Sequence, residues 1–265
     1  MSAGASPARA ALRARGPLVL LAALVTLSAL APRPARAEAA LYLTWSDCGT
    51  SVNGTSDFAF DCTTELGFEE LFCAFRMPFA SGADVLGVVA VVDIQHEAAT
   101  LPDWWRLAEV GDCRSGYLSA SADFALNVDC VDPWVGLAVA ELQAYNAGEP
   151  RGGTNQARIK AVAGVVPALA RTLDAASVYY GIKLVIQNAR STGAALCAGC
   201  RGGACLVLNS IEVKRLAGAP GGDLFLATPG PMNGNWARWQ GGVGVDCSLV
   251  PTRNMTWGRV KSLYR

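Results

Sequence analysis

Nine cysteines in a chain of 265 residues, all of them beyond residue 47, restrict this sequence more than any other feature. Whether they are bonded, metal-bound or free depends on the compartment, and the N-terminus bears on that. Arg9, Arg13 and Arg15 precede an uncharged run from Leu18 to Ala31, and Ala35-Arg36-Ala37 closes it. A basic start, an apolar stretch too short to span a bilayer and a small-x-small site make a secretory signal peptide over 1–37. The cleaved product is expected to be secreted or periplasmic, where disulfides are the default state of cysteine. Nine is odd, so at least one thiol stays unpaired within a monomer. Cys73 is the candidate, because Leu71-Phe72-Cys73-Ala74-Phe75 reads as a strand interior, where a thiol packs as a small hydrophobe. Cys48 with Cys62, and Cys113 with Cys130, read as local staples closing loops of similar size. Cys197, Cys200, Cys205 and Cys247 supply two further bonds in any of three pairings, or four thiolates to zinc. Export favours the bonds, so neither metal nor cofactor is expected.

Removal of 37 residues leaves 228, enough for one well-packed domain over 38–250 and a tail over 251–265. The leader takes five of the 22 basic residues and no acid, leaving 17 bases against 22 acids. That acidic balance argues against nucleic acid as a partner. No segment after the leader is long and apolar enough to span a membrane.

Strand patterns dominate what remains. Leu41–Trp45 and Glu70–Met77 read as strands, and Asp84–Gln95 as one buried on both faces. Gln156–Ala163 alternates cleanly, as does the run Tyr180, Ile182, Leu184, Ile186. Cys205–Arg215 answers that run as a partner strand, with Val207, Ile211 and Val213 inward. Gly116–Cys130 alternates weakly and reads as strand; Gly136–Tyr145 fits strand or helix. Short helical turns are expected at Leu101–Arg106, at Pro167–Leu173 and near Trp257, Val260 and Tyr264 in the tail. Gly218–Pro251 reads as loop. Parallel βαβ alternation is absent, so the expected fold is all-β: a disulfide-stapled two-sheet sandwich, Ig-like or jelly-roll-like, with one or two short helices. Tyr179-Tyr180 after Leu173 has the placing of a tyrosine corner.

Chemistry-bearing motifs are sparse. His96 is the one histidine, and no G-x-S-x-G elbow accompanies it. P-loop and dinucleotide signatures are missing. Glu69-Glu70 is the densest acidic spot, but neighbours on a strand face opposite ways. Seven tryptophans are many for this length, and Trp104, Trp105, Trp236 and Trp239 lie in Gly/Pro/Asp/Asn-rich segments. Aromatic rings on loops can stack on sugars, which makes these four the candidate ligand-binding residues and a polysaccharide or cell-surface ligand the candidate partner.

The ending Thr256-Trp257-Gly258-Arg259-Val260-Lys261-Ser262-Leu263-Tyr264-Arg265 resembles that of a group of uncharacterised exported bacterial proteins, cysteine-rich and finishing in TWG-x-x-K-x-LYR. Trp45-Ser46-Asp47-Cys48, Leu101-Pro102-Asp103-Trp104-Trp105 and Cys197-Ala198-Gly199-Cys200 extend the resemblance. It implies a secreted, cysteine-stapled protein and no activity. The expected role is non-enzymatic: an extracellular binding or envelope-associated domain, carbohydrate being the first ligand class to test. A secreted hydrolase using a carboxylate pair is the alternative.

Overall fold

The computed structural model describes residues 39–49, 54–78, 82–107, 110–150, 152–230, 234–242 and 247. The expected signal peptide (1–37) and tail helix (251–265) lie outside the described residues.

Two sheets face each other, antiparallel throughout except for a short parallel pairing of Asp57–Phe58 with Trp236–Trp239 in the larger. The smaller has the order β1-β3-β9-β5, from Ala40–Trp45, Phe68–Arg76, Val178–Gln187 and Leu118–Ser121. The larger has the order β2-β12-β10-β4-β7-β6. Its strands are Asp57–Phe58, Trp236–Trp239, Ala204–Arg215, Gly82–His96, Gln156–Gly164 and Val139–Ala147. In addition, β8 (Arg171–Leu173) joins β4 and β11 (Leu224–Leu226) joins β10. Three single-turn 3-10 helices, Asp103–Trp105, Pro167–Leu169 and Gln240–Gly242, complete the described elements. The fold is thus an all-β, disulfide-stapled sandwich.

Period-two burial builds it. In β3 and β9 the inner face carries Leu71, Cys73 and Phe75 against Leu184, Ile182 and Tyr179. In the large sheet Val88, Ala90, Val92 and Ile94 of β4 lie beside Ala163, Ala161, Ile159 and Ala157 of β7. Opposite faces of one strand carry alternate residues, so each strand gives every second side chain to the interior.

Several expectations are corrected. Cys205–Arg215 does not pair with the Tyr180–Ile186 run: β10 pairs with β4, β12 and β11, while β9 pairs with β3 and β5. Val207 is not inward. A bulge between Leu208 and Ser210 shifts the register, so Leu206 and Leu208 face the core before it and Ile211 and Val213 after it. Val207 is left on the outer face with Cys205, Cys247 and Trp236. The stretch Gly218–Pro251 contains β11 and β12 rather than loop alone. Only Leu118–Ser121 of Gly116–Cys130 is strand, Gly136–Tyr145 resolves to strand, and the turn at Pro167 ends at Leu169.

Tyr179 and Tyr180 lock the start of β9. The Tyr179 hydroxyl accepts from Asp174 N–H at 2.9 Å, and donates to that residue's carboxylate at 3.0 Å. Tyr180 Oη accepts from the backbone N–H groups of Asp129 and Cys130 and donates to the Asp47 carboxylate at 2.5 Å. Residues 47, 130 and 180 thereby form one knot with the Cys48–Cys130 disulfide.

Candidate functional site

Four disulfides join Cys48 to Cys130, Cys62 to Cys200, Cys113 to Cys197 and Cys205 to Cys247, and Cys73 is free and buried. The expected local staples Cys48–Cys62 and Cys113–Cys130 are therefore corrected. Trp45 bridges to Thr55, and Cys48 and Cys62 each meet a partner from a distant segment.

Two of these bonds converge on one end of the sandwich. Cys197 and Cys200 sit three residues apart, yet one ties the loop to residue 113 and the other to residue 62. Between the segment at Cys62–Thr63 and the segment Ser191–Arg201 lies a cleft of about 480 Å³. Its lining includes Thr63, Ser191, Thr192, Leu196 and Arg201, with the Cys62–Cys200 bond in one wall. Local bonds hold both rims. Asn188 Nδ2 donates to Leu66 O at 3.3 Å and to Glu69 Oε1 at 2.9 Å, joining the two segments a second time. The turn Asn188–Gly193 closes through Ser191 N–H to Asn188 O and Cys197 N–H to Arg190 O. Arg190 takes the left-handed conformation there, at φ 62°.

Beneath the cleft is aromatic core, and this overturns the expected sugar-stacking row. Trp104, Trp105 and Trp239 are fully buried. Trp239 stacks on Phe60 at 4.1 Å, meets Trp104 at 4.6 Å and Trp105 at 5.5 Å, and touches Trp45 at 5.8 Å. Trp236 does lie on an outer face, but the Arg238 guanidinium sits 4.7 Å over its ring. The physical reason is area. Burying an indole removes roughly 200 Å² from water, about 5 kcal/mol as an upper figure. The Nε1 atoms of Trp105 and Trp134 are buried without a hydrogen bond, at a cost of about 1–3 kcal/mol each. Burial wins.

Three further indoles are satisfied. Trp45 donates to Arg238 O, Trp239 to Cys200 O, and Trp104 to Ser191 Oγ at 3.1 Å. That last bond matters for the cleft. Ser191 Oγ accepts the indole proton, so its own proton is directed elsewhere, and Ser191 lines the cleft. Arg114 braces the same region from below. Its guanidinium lies 3.7 Å over Trp104 and donates to the carbonyls of Trp104, Gln187 and Ala189. Burial lowers its pKa to about 10, so it stays charged at neutral pH.

Other titratable groups are engaged elsewhere. Arg158 chelates the buried Asp93 at 2.7 and 2.9 Å, and that hydrogen bonding raises the arginine pKa. Lys183 pairs with Glu70 at 2.7 Å, whereas Glu69 goes to Asn188 and has its pKa raised by partial burial. His96 is buried at the end of β4, with Nδ1 accepting from Ala98 N–H at 3.0 Å. Burial lowers its pKa, with Glu97 and the Gly199 backbone opposing, so it is neutral at pH 7. Among the described residues, no group of three or more His, Cys, Asp or Glu is placed to hold a metal ion.

The cleft is therefore mostly apolar in its wall, with a few hydroxyl, guanidinium and backbone groups, and is held on disulfide-tied loops. No sequence motif marks Ser191, Thr192 or Leu196 as site residues. Their signal was proximity to Cys197 and the turn residues at Asn188–Gly193. No family model, no curated protein and no solved structure matches this chain.

Proposed function

We propose that this is an exported, non-enzymatic binding domain whose ligand enters the cleft between Thr63 and Leu196. The supporting observation is a cleft of about 480 Å³ with the Ser191 hydroxyl at its lining and a disulfide in its wall. That volume suits a small ligand, and sites of this kind bind by a few placed polar groups on a preformed frame. Hydroxyls of Thr63, Ser191 and Thr192 beside the Arg201 guanidinium suit a polyhydroxylated molecule, so carbohydrate is the first class to test. The recognition is hydrogen bonding rather than ring stacking. Four disulfides fit an oxidising compartment outside the cytoplasm.

A glycan array followed by calorimetry on a hit tests this. Leu196 is exposed, so Leu196→Trp fills the cleft without disturbing the core. It should weaken binding by at least tenfold at unchanged melting temperature, while Trp236→Ala should leave binding intact. Equal binding by the Leu196→Trp protein would place the ligand elsewhere.

A further inference from the structure

We propose that the free edge of β6, with the apolar groove beside it, docks an extended basic-apolar peptide segment of a partner protein. β6 ends the large sheet: β7 pairs with one side, and among the described residues no strand pairs with the other. Its backbone groups along that side are a template for an added strand. A bulge between Leu142 and Ala144 interrupts the strand, so the straight part of the edge is Val139–Leu142.

The groove, of about 660 Å³, adjoins this straight part. Leu137, Val139, Val162, Val166 and Leu169 supply its apolar lining and Glu141 its charge. Leu137, Val139 and Val166 are 52%, 78% and 62% exposed, an apolar cluster that a domain with no partner here would leave in water. Val139 pairs with Gly164, and Glu141 with Val162, so both side chains share the groove face.

Charge selects the occupant. Glu141 is exposed and makes no ion pair among the described residues. Alternate residues of an added strand fall on one face. A segment with an apolar residue over Val139 and a lysine or arginine two positions away therefore meets both the groove and the carboxylate. A second copy of the same edge is disfavoured. An antiparallel register that keeps both apolar sides on one face and overlaps three residues of Val139–Leu142 sets the two Glu141 carboxylates opposite or diagonal to one another.

The test is amide hydrogen exchange on the full chain with two synthetic seven-residue peptides of alternating threonine and valine. One carries a central lysine and the other a central glutamate. At millimolar concentration the lysine peptide should slow exchange at Val139–Leu142 severalfold and the glutamate peptide should not. Glu141→Lys should invert that preference, and Val139→Asp should abolish protection by either peptide. Both positions are exposed, so melting temperatures should stay unchanged. Three results would overturn the proposal: no protection by either peptide, a preference indifferent to Glu141→Lys, or protection, in the protein alone, of those β6 amides that do not bond to β7. In the last case, concentration dependence would identify a second copy and its absence a segment of the same chain.

Discussion

Cys73 faces the second sheet from the middle of β3, opposite Leu43 and Ile182. With no polar group to stabilise a thiolate, burial alone pushes its pKa from 9.0 to about 12. At pH 8 roughly one such thiol in ten thousand is ionised, so nucleophilic chemistry there is negligible. The folded protein should resist alkylation at pH 8, and the denatured, unreduced protein should take up one adduct per chain by mass spectrometry. Three adducts would mean a missing disulfide. The sign for stability follows as well. An unfolded thiol ionises at lower pH than the buried one, so folding loses stability as pH rises above about 9. The strand-interior context of this residue is visible in the sequence, because apolar neighbours on both sides leave no doubt about burial. Ser191 is the opposite case. Its role depends on an indole 87 positions earlier, which no local pattern can display.

At the scale of elements, β10 shows where alternation misleads. Reading odd positions from 207 to 213 gives one continuous face, and a single extra residue at Asn209 breaks it. A bulge adds no sequence signature of its own here, since asparagine is at home in both turns and exposed strand positions. The fault falls on the first half of the strand: Val207 is assigned inward, where Leu206 and Leu208 face the core instead. Deleting Asn209 makes the prediction concrete. Either Leu206 and Leu208 or Ile211 and Val213 must then leave the core face, at up to about 3–6 kcal/mol for two aliphatic side chains. Urea denaturation should show a loss of that order, and an unchanged midpoint would mean that the bulge does not set the register. β12 was hidden for another reason. Four residues in a glycine-rich stretch are too few to establish a period, although Ala237 and Trp239 do bury on one side and Trp236 and Arg238 do not.

Across the whole molecule, long links hold the two sheets and their loops together. The bonds span 82, 138, 84 and 42 positions. On the chain-entropy account each such closure contributes about 4–5 kcal/mol, a large share of the roughly 5–15 kcal/mol by which domains are stable. Reduction under native conditions should therefore unfold the protein, seen as loss of the near-ultraviolet circular dichroism of its buried tryptophans. A reduced and alkylated chain that kept a cooperative thermal transition would contradict this. The two-sheet architecture was legible because it rests on alternation repeated in many strands. The pairing of cysteines was not, because spacing along the chain carries no information about which loops meet in space. The cleft shares that limitation, being assembled from segments at residues 62–63 and 191–201.

The crossed linkage of Cys62 to Cys200 also sets a timetable. A chain delivered N-terminus first presents Cys48 and Cys62 together, long before Cys130 or Cys200 has emerged. An oxidant acting on cysteines in order of appearance would join the wrong pair. Correct maturation thus requires either that the early thiols wait or that a first, mistaken bond be exchanged later. The yield of this protein should depend on a disulfide isomerase more than on an oxidase.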